Sequence, residues 1–159
     1  NKSSLGHIEM IKDELEIAVL YLKIEKLCHS NIIEWNIDLA DGIDEFAICK
    51  FTLQPFLENS ILHGISEETP NIYIDISAKY GDSTVIITLK DNGAGIRSEK
   101  LKEIKKDLSE KSIHYDRHFG ICNVNARISN KYYGDGIVNI ESTQGKGTTV
   151  IIEYSQIEV

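Results

Sequence analysis

Apolar residues recur at helical spacing from Ile8 to about Leu27, at Ile8, Ile11, Leu15, Ala18 and Leu22, which predicts an amphipathic helix. The run Ile32-Ile33-Glu34-Trp35-Asn36-Ile37-Asp38 reads as a strand, and Asp41-Gly42 marks a turn. A second helix is expected from Thr52, as N-cap, to His63, with Gly64 as its stop and Pro55 in its first turn. Alternating apolar residues over Ile72–Ala78 and the run Val85–Leu89, separated by Gly81-Asp82-Ser83, predict a hairpin. A glycine loop, Asp91-Asn92-Gly93-Ala94-Gly95, leads to a charged helix from Ser98 to about Ser109. Glu110 to Phe119 has no period and reads as a loop. Gly120 to Tyr133 reads as one helix ended by Gly134. Two strands, Ile137–Ser142 and Thr148–Tyr154, flank a Gln144-Gly145-Lys146-Gly147 turn. The expected fold is a two-layer α/β sandwich, a mixed sheet with helices on one face.

The chain has 159 residues, 42% of them hydrophobic and 26% charged, enough for one domain with a sizeable core. Its net charge of −8 argues against direct binding to nucleic acid, which needs a basic face. An anionic nucleotide stays open, because backbone N–H groups and a metal hold phosphates locally. The three cysteines, Cys28, Cys49 and Cys122, are odd in number and have no C-x-x-C spacing. That speaks against a disulfide framework or a zinc site and for a reducing compartment. The chain begins with Asn1 and enters a helical pattern at once, so a fragment of a longer protein is expected.

Three segments carry candidate chemistry. On the helix Leu53–Gly64, Glu58, Asn59 and His63 share one side, and Asn59 and His63 are four apart and adjacent. An asparagine oxygen suits Mg²⁺, and a histidine beside it can reach a phosphate; equally, these are the solvated residues of a packed helix. In Asp91-Asn92-Gly93-Ala94-Gly95-Ile96 the glycines allow close backbone approach to a ligand. A carboxylate at the strand end accepts a hydrogen bond from the adenine 6-amino group and faces the guanine carbonyl unfavourably; the plainer reading is an Asx turn. The third is Gly120-Ile121-Cys122-Asn123-Val124-Asn125-Ala126-Arg127-Ile128 with Gly145-Lys146-Gly147-Thr148-Thr149. A glycine opening a helix offers free N–H groups to an anion. Asn123 and Arg127 share a face, and Arg127 reads equally as a phosphate contact or as a structural ion pair. The P-loop spacing is absent.

The order and separation of these segments resemble the GHKL (Bergerat) ATP-binding fold of histidine kinases and of gyrase-type and Hsp90-type ATPases. Leu53–Gly64 resembles its N box, Asp91–Ile96 its G1 box, and Gly120–Ile128 with Gly145–Thr148 its second glycine region. The wording is closer still to sensor kinases of the LytS/YesM group, across almost the whole chain. The matching residues are Leu53-Gln54-Pro55 through Glu58-Asn59 and His63-Gly64, Glu14-Leu15-Glu16 with Tyr21-Leu22-Lys23-Ile24-Glu25, Asn123-Val124-Asn125-Ala126-Arg127, and Tyr132-Tyr133-Gly134. Two departures stand out. His118 replaces the first glycine of the usual G-x-G before the Asn-Val pair, and Cys49-Lys50 stands where proline is frequent.

The resemblance implies ATP and Mg²⁺ as cofactors, with Asn59 on the metal. Asp91 would hold the adenine; His63, Gly64, Gly93, Gly95, Ile96, Gly120, Ile121, Asn123, Arg127, Gly147 and Thr148 would complete the nucleotide site. Glu58 would act as base or orient a metal-bound water. Pro55 occupies the position where gyrase-type ATPases carry their base, which favours a kinase, whose acceptor histidine is itself the nucleophile. Residues 1–30 would end a dimerisation or linker region and residues 31–159 would form the catalytic domain; the charged helix and aperiodic loop between Arg97 and Phe119, with Gly120 as hinge, predict a mobile lid. The implied partners are the parent's own dimerisation and phosphoacceptor domain and a response regulator of LytTR or AraC type. The implied parent is a membrane-anchored homodimer with this domain in the cytoplasm. A non-catalytic nucleotide-binding module and an anti-sigma-type serine kinase are the alternatives.

Overall fold

The computed structural model describes residues 5–30, 32–111 and 119–158. After a 3-10 turn at Leu5–His7 come strand β1 (Ile8–Met10), helix α1 (Ile11–Cys28), β2 (Ile33–Leu39), a 3-10 turn at Ile43–Glu45, and β3 (Ala47–Cys49). Helix α2 (Gln54–Gly64), β4 (Ile72–Tyr80), β5 (Thr84–Asp91), α3 (Ser98–Ser109) and α4 (Phe119–Ile128) follow. A 3-10 turn at Lys131–Tyr133 leads to β6 (Ile137–Thr143) and β7 (Gly147–Ser155).

Five strands form one sheet in the order β2-β4-β5-β7-β6. The β2–β4 pair is parallel, because α2 lies in its crossover, and the other pairs are antiparallel. Alternate residues of the central strands are buried: Ile72, Ile74, Ile76 and Ala78; Val85, Ile87 and Leu89; Val150, Ile152 and Tyr154. Their neighbours in sequence point to the other, open face, so the helices cover one side only. This is the expected two-layer mixed α/β sandwich. Ile11, Leu15, Ala18 and Leu22 of α1 join the same hydrophobic core as Leu53, Phe56 and Leu57.

Five local expectations need correction. Ile8 is not helical. It lies in β1, which pairs antiparallel with β3 through Ile8↔Cys49 and Met10↔Ala47, and three-residue strands are too short to show a period. Thr52 is not the N-cap of α2; Leu53 is, and the Thr52 hydroxyl donates to the Cys49 carbonyl at 2.6 Å. The capping carboxylate comes from Glu14 on α1, out of reach of local sequence reasoning. Gly64 is the last residue of α2 and is not among the left-handed glycines. Helix α4 stops at Ile128, where the Gly136 N–H takes the Ile128 carbonyl and the Asn130 side chain caps the following 3-10 turn. Gly134, left-handed at φ 80°, ends that turn instead. Finally, the first half of the expected lid is part of the body: Ile104 and Leu108 of α3 are buried, and Lys105 pairs with Glu141 of β6 at 2.9 Å. The rest of the expected lid, with His114 and His118, falls in residues 112–118, outside the described residues.

Candidate functional site

Asp91 ends β5, opposite Thr148 at the start of β7. Its side chain is buried, and both oxygens are engaged. Oδ1 accepts the Gly93 N–H at 2.9 Å and the Thr148 N–H at 3.2 Å, and Oδ2 accepts the Ser60 hydroxyl at 2.8 Å. Oδ1 is therefore saturated, while Oδ2 keeps one lone-pair direction. Burial pushes the carboxyl up from its ordinary value, and these three hydrogen bonds pull it down.

The backbones around Asp91 touch. A Cβ on Gly93 would lie 2.5 Å from Gly64 Cα, and one on Gly147 would lie 2.0 Å from the Asp91 carbonyl oxygen. The Ala94 N–H also donates to the Gly64 carbonyl at 2.8 Å. Glycine at 93 thus lets the end of α2 dock on the loop after β5, Gly64 leaves room for the Ile72 side chain, and Gly147 lets β7 lie against Asp91. The Ser142 hydroxyl is a second junction. It donates to the Gly147 carbonyl at 2.9 Å and accepts the Ile96 N–H at 2.8 Å. With the Ser142 proton committed, Thr148 Oγ1 donates to Ser142 at 2.8 Å and keeps its own lone pairs.

These elements enclose a cleft of about 560 Å³ whose lining includes Asp91, Asn59, Ser60, His63, Gly64, Gly95, Ile96, Gly120, Ile121 and Thr148. Phe56, Leu89, Ile104, Ile140 and Val150 supply apolar surface, and Arg97 and Lys100 add positive charge. The volume and the mix of apolar wall with few polar groups suit a nucleotide-sized ligand. The Asn59 side chain makes no hydrogen bond to another described residue, so its amide oxygen is available. No group of three or more His, Cys, Asp or Glu among the described residues could hold a metal by itself. A single neutral oxygen fits Mg²⁺, which takes one or two protein ligands together with substrate phosphates.

Of the residues singled out from the sequence, five lie off the cleft lining. Gly93 and Gly147 stand behind Asp91 as described. Glu58 is exposed, accepts a hydrogen bond from Gln54 at 3.3 Å, and faces α1. There, burial first and then the charges of Glu25 and Glu58 push the Tyr21 phenol up to about 12. Asn123 is half-buried on α4. Arg127 forms no ion pair with another described residue, and its Nη2 donates to the Phe51 carbonyl at 2.6 Å. Sequence reasoning missed Ser60, Ser142, Arg97 and Lys100. Only Ser60 carried a signal, by following Asn59 on the helix that reaches Asp91.

A family model described as histidine kinase-, DNA gyrase B-, and HSP90-like ATPase matches residues 48–157. The chain belongs to this family of ATP-binding domains. It is 29% identical over 145 residues to the sensor histidine kinase YesM of Bacillus subtilis, covering 91% of this chain and 23% of that one. It is 34% identical over 141 residues to the sensor protein LytS of Oceanobacillus iheyensis, covering 86% and 23%. The catalytic domain of the histidine kinase ThkA has the same fold, with a TM-score of 0.62, 13% identity and coverage of 96% and 97%. The chain spans less than half the length of the curated relatives it matches.

Proposed function

We propose that this chain is the catalytic domain of a two-component sensor histidine kinase of the LytS/YesM kind. It binds Mg·ATP and transfers the γ-phosphoryl group to a histidine of the parent's dimerisation domain, for relay to a response regulator. The observation that carries this reading is the unused lone pair of Asp91 Oδ2 on the cleft wall, an acceptor suited to the adenine 6-amino group. Asn59 offers its oxygen to Mg²⁺, which when bound spreads positive charge over the phosphates. His63, and the helix start at Gly120 and Ile121, take phosphate oxygens. Gly95, Ile96 and Thr148 bound the base. Glu58, exposed beside Asn59 on α2, acts as base toward the acceptor histidine or orients a magnesium-bound water. Asn123 and Arg127 lie on α4 off the cleft lining, where Arg127 holds the Phe51 carbonyl.

Residues 1–30 fit the end of a dimerisation or linker region. Helix α1 buries one apolar face and exposes another, Ile17, Leu20, Ile24 and Leu27, at coiled-coil spacing. This stripe supports a helical partner and a homodimeric parent. The resemblance to the LytS/YesM group supports a regulator of LytTR or AraC type and a membrane anchor elsewhere in the parent. Among the described residues no helix is long and apolar enough to cross a membrane.

Titration with ATP and GTP tests the reading. ATP should bind in the presence of magnesium and GTP much more weakly, because the guanine carbonyl would face Asp91. Comparable affinities would remove the ground for the adenine assignment.

A further inference from the structure

The turn that launches α2 is held in a way that nucleotide contact alone does not explain. Phe51 adopts φ 60°, a left-handed conformation that side chains with a Cβ avoid unless their surroundings impose it. Its N–H donates to Glu14 Oε2 at 3.2 Å, and its carbonyl accepts Arg127 Nη2 at 2.6 Å. Two residues on, the Leu53 N–H at the N-cap donates to Glu14 Oε1 at 3.0 Å. Glu14 stands in the first turn of α1 and is only 4% exposed. Both of its oxygens go to backbone amides at the positive end of α2, where a carboxylate is favoured. Arg127 stands in the last turn of α4.

Three helices therefore meet at one strained residue. From this point α2 runs on to Asn59, Ser60 and His63 in the cleft, and α4 contributes Gly120 and Ile121 at its other end. Asp91 is anchored by its place on β5 and by the Thr148 and Gly93 amides on Oδ1, and the Ser60 hydroxyl of α2 reaches its Oδ2 at 2.8 Å.

We propose that Glu14 is a positioning residue for the magnesium end of the nucleotide site, tying the start of α2 to α1 so that Asn59 follows the upstream helix. This rests on the nucleotide reading above and extends it to regulation. A shift or rotation of α1 carries the Glu14 carboxylate with it. The amides of Phe51 and Leu53 lose their acceptor, the strained turn relaxes, and the first turns of α2 move while the adenine end stays with the sheet. The nucleotide stays bound but is no longer correctly placed for transfer.

The test is the affinity for ATP with magnesium and with EDTA, in wild type, Glu14→Ala and Glu14→Gln. Glu14→Ala should weaken Mg·ATP by about tenfold and leave EDTA·ATP within about twofold. Glu14→Gln, which keeps one acceptor oxygen, should fall between. A merely structural role would lower the melting temperature and leave both affinities of the folded protein unchanged, and that result overturns the proposal. Equal losses in both conditions also overturn it. Should neither variant fold, amide exchange in the wild type decides: Mg·ATP should slow exchange at Phe51 and Leu53 more than ATP with EDTA, and equal rates overturn the proposal. Asp91→Ala is the control for the nucleotide reading and should lose affinity in both conditions. A wild type that binds no ATP overturns both readings, whereas normal binding with a silent Glu14 overturns only this one.

Discussion

Burial lifts the Asp91 carboxyl above its ordinary 3.8, while Ser60, Gly93 and Thr148 hold it back. With the folded value raised, the folded state keeps the proton to higher pH than the unfolded chain does. The stability this gives is present below 3.8 and is lost as pH rises through the folded value. Acceptance from an adenine amine has the opposite sign, since it is best from the ionised form. ATP affinity should therefore fall on acidification before ordinary carboxylates titrate, and Asp91→Asn should lose that pH dependence. In Asp91→Asn the amide oxygen can stay on the Gly93 and Thr148 N–H groups, which turns the NH₂ toward Ser60 and the cleft. ATP should weaken by about 1.5–3 kcal/mol, or roughly 10- to 150-fold. ITP, which carries a carbonyl at the same position, should lose much less. Competition titrations measure the ratio, and an unchanged ATP:ITP preference would separate Asp91 from base recognition. Asp91, Asn59 and His63 were legible in the sequence because their residue types are unusual beside glycines on a helix or at a strand end. Ser60 and Ser142 were not, because a serine is informative only once the fold shows what its hydroxyl reaches. Arg127 was ambiguous for the same reason, and its partner, a carbonyl 76 positions away, has no signature of its own.

Most of the helices and strands were readable because half-buried elements keep a clean period. The readings failed where an element is too short for a period or is ended by distant groups, as with β1, β3, the cap of α2 and the break after α4. Asn125 shows how such ends are fixed. Buried on α4, it donates to the Leu108 carbonyl at 3.2 Å and accepts the Val138 N–H at 3.0 Å, so one amide joins α3, α4 and β6. Asn125→Ala leaves both groups without that partner and should cost about 2–3 kcal/mol, lowering the melting temperature by roughly 5–10 °C. A change of less than about 2 °C would mean that water replaces the amide. The α1 end has its own pH sensitivity. Glu9 on β1 is pushed up to about 7, first by its hydrogen bond to Glu14, then by burial and the Glu14 charge. Asp13 adds to the rise and Lys50 opposes it. The folded state thus holds this proton between 4.5 and about 7, and the associated stability is full below 4.5 and lost as pH rises through about 7. Thermal melts should show that decline, and Glu9→Gln should flatten it. A wild-type melting temperature constant from pH 5 to 8 would count against a shared proton.

At the scale of the whole molecule, the placement of the histidines limits what this chain does alone. His63 lines the cleft on α2, as part of the site that would hold the phosphates rather than of a group presented to them. His29 follows α1 and pairs with Glu25 at 2.7 Å. His7 immediately precedes β1, and its carbonyl accepts the Lys50 N–H at 2.9 Å, which ties that backbone to the end of β3. His114 and His118 fall outside the described residues. The acceptor context of the LytS/YesM group, asparagine-proline-histidine-phenylalanine, occurs at none of the five. In-line transfer needs the nucleophile within a few ångströms of the γ-phosphorus and aligned with the leaving oxygen. A histidine held in the nucleotide's own wall, or tied at β1, does not meet that requirement. The isolated chain should therefore bind ATP without labelling itself, and should phosphorylate its parent's dimerisation domain when that is supplied separately. Incubation with γ-labelled ATP, followed by acid and alkali treatment, distinguishes the cases, since phosphohistidine is acid-labile and alkali-stable. Such a label on the chain alone, lost in His7→Ala or His63→Ala, would relocate the acceptor to this domain. Persistent ATP binding with no transfer to the intact acceptor domain would instead make the chain a nucleotide-binding module without kinase activity.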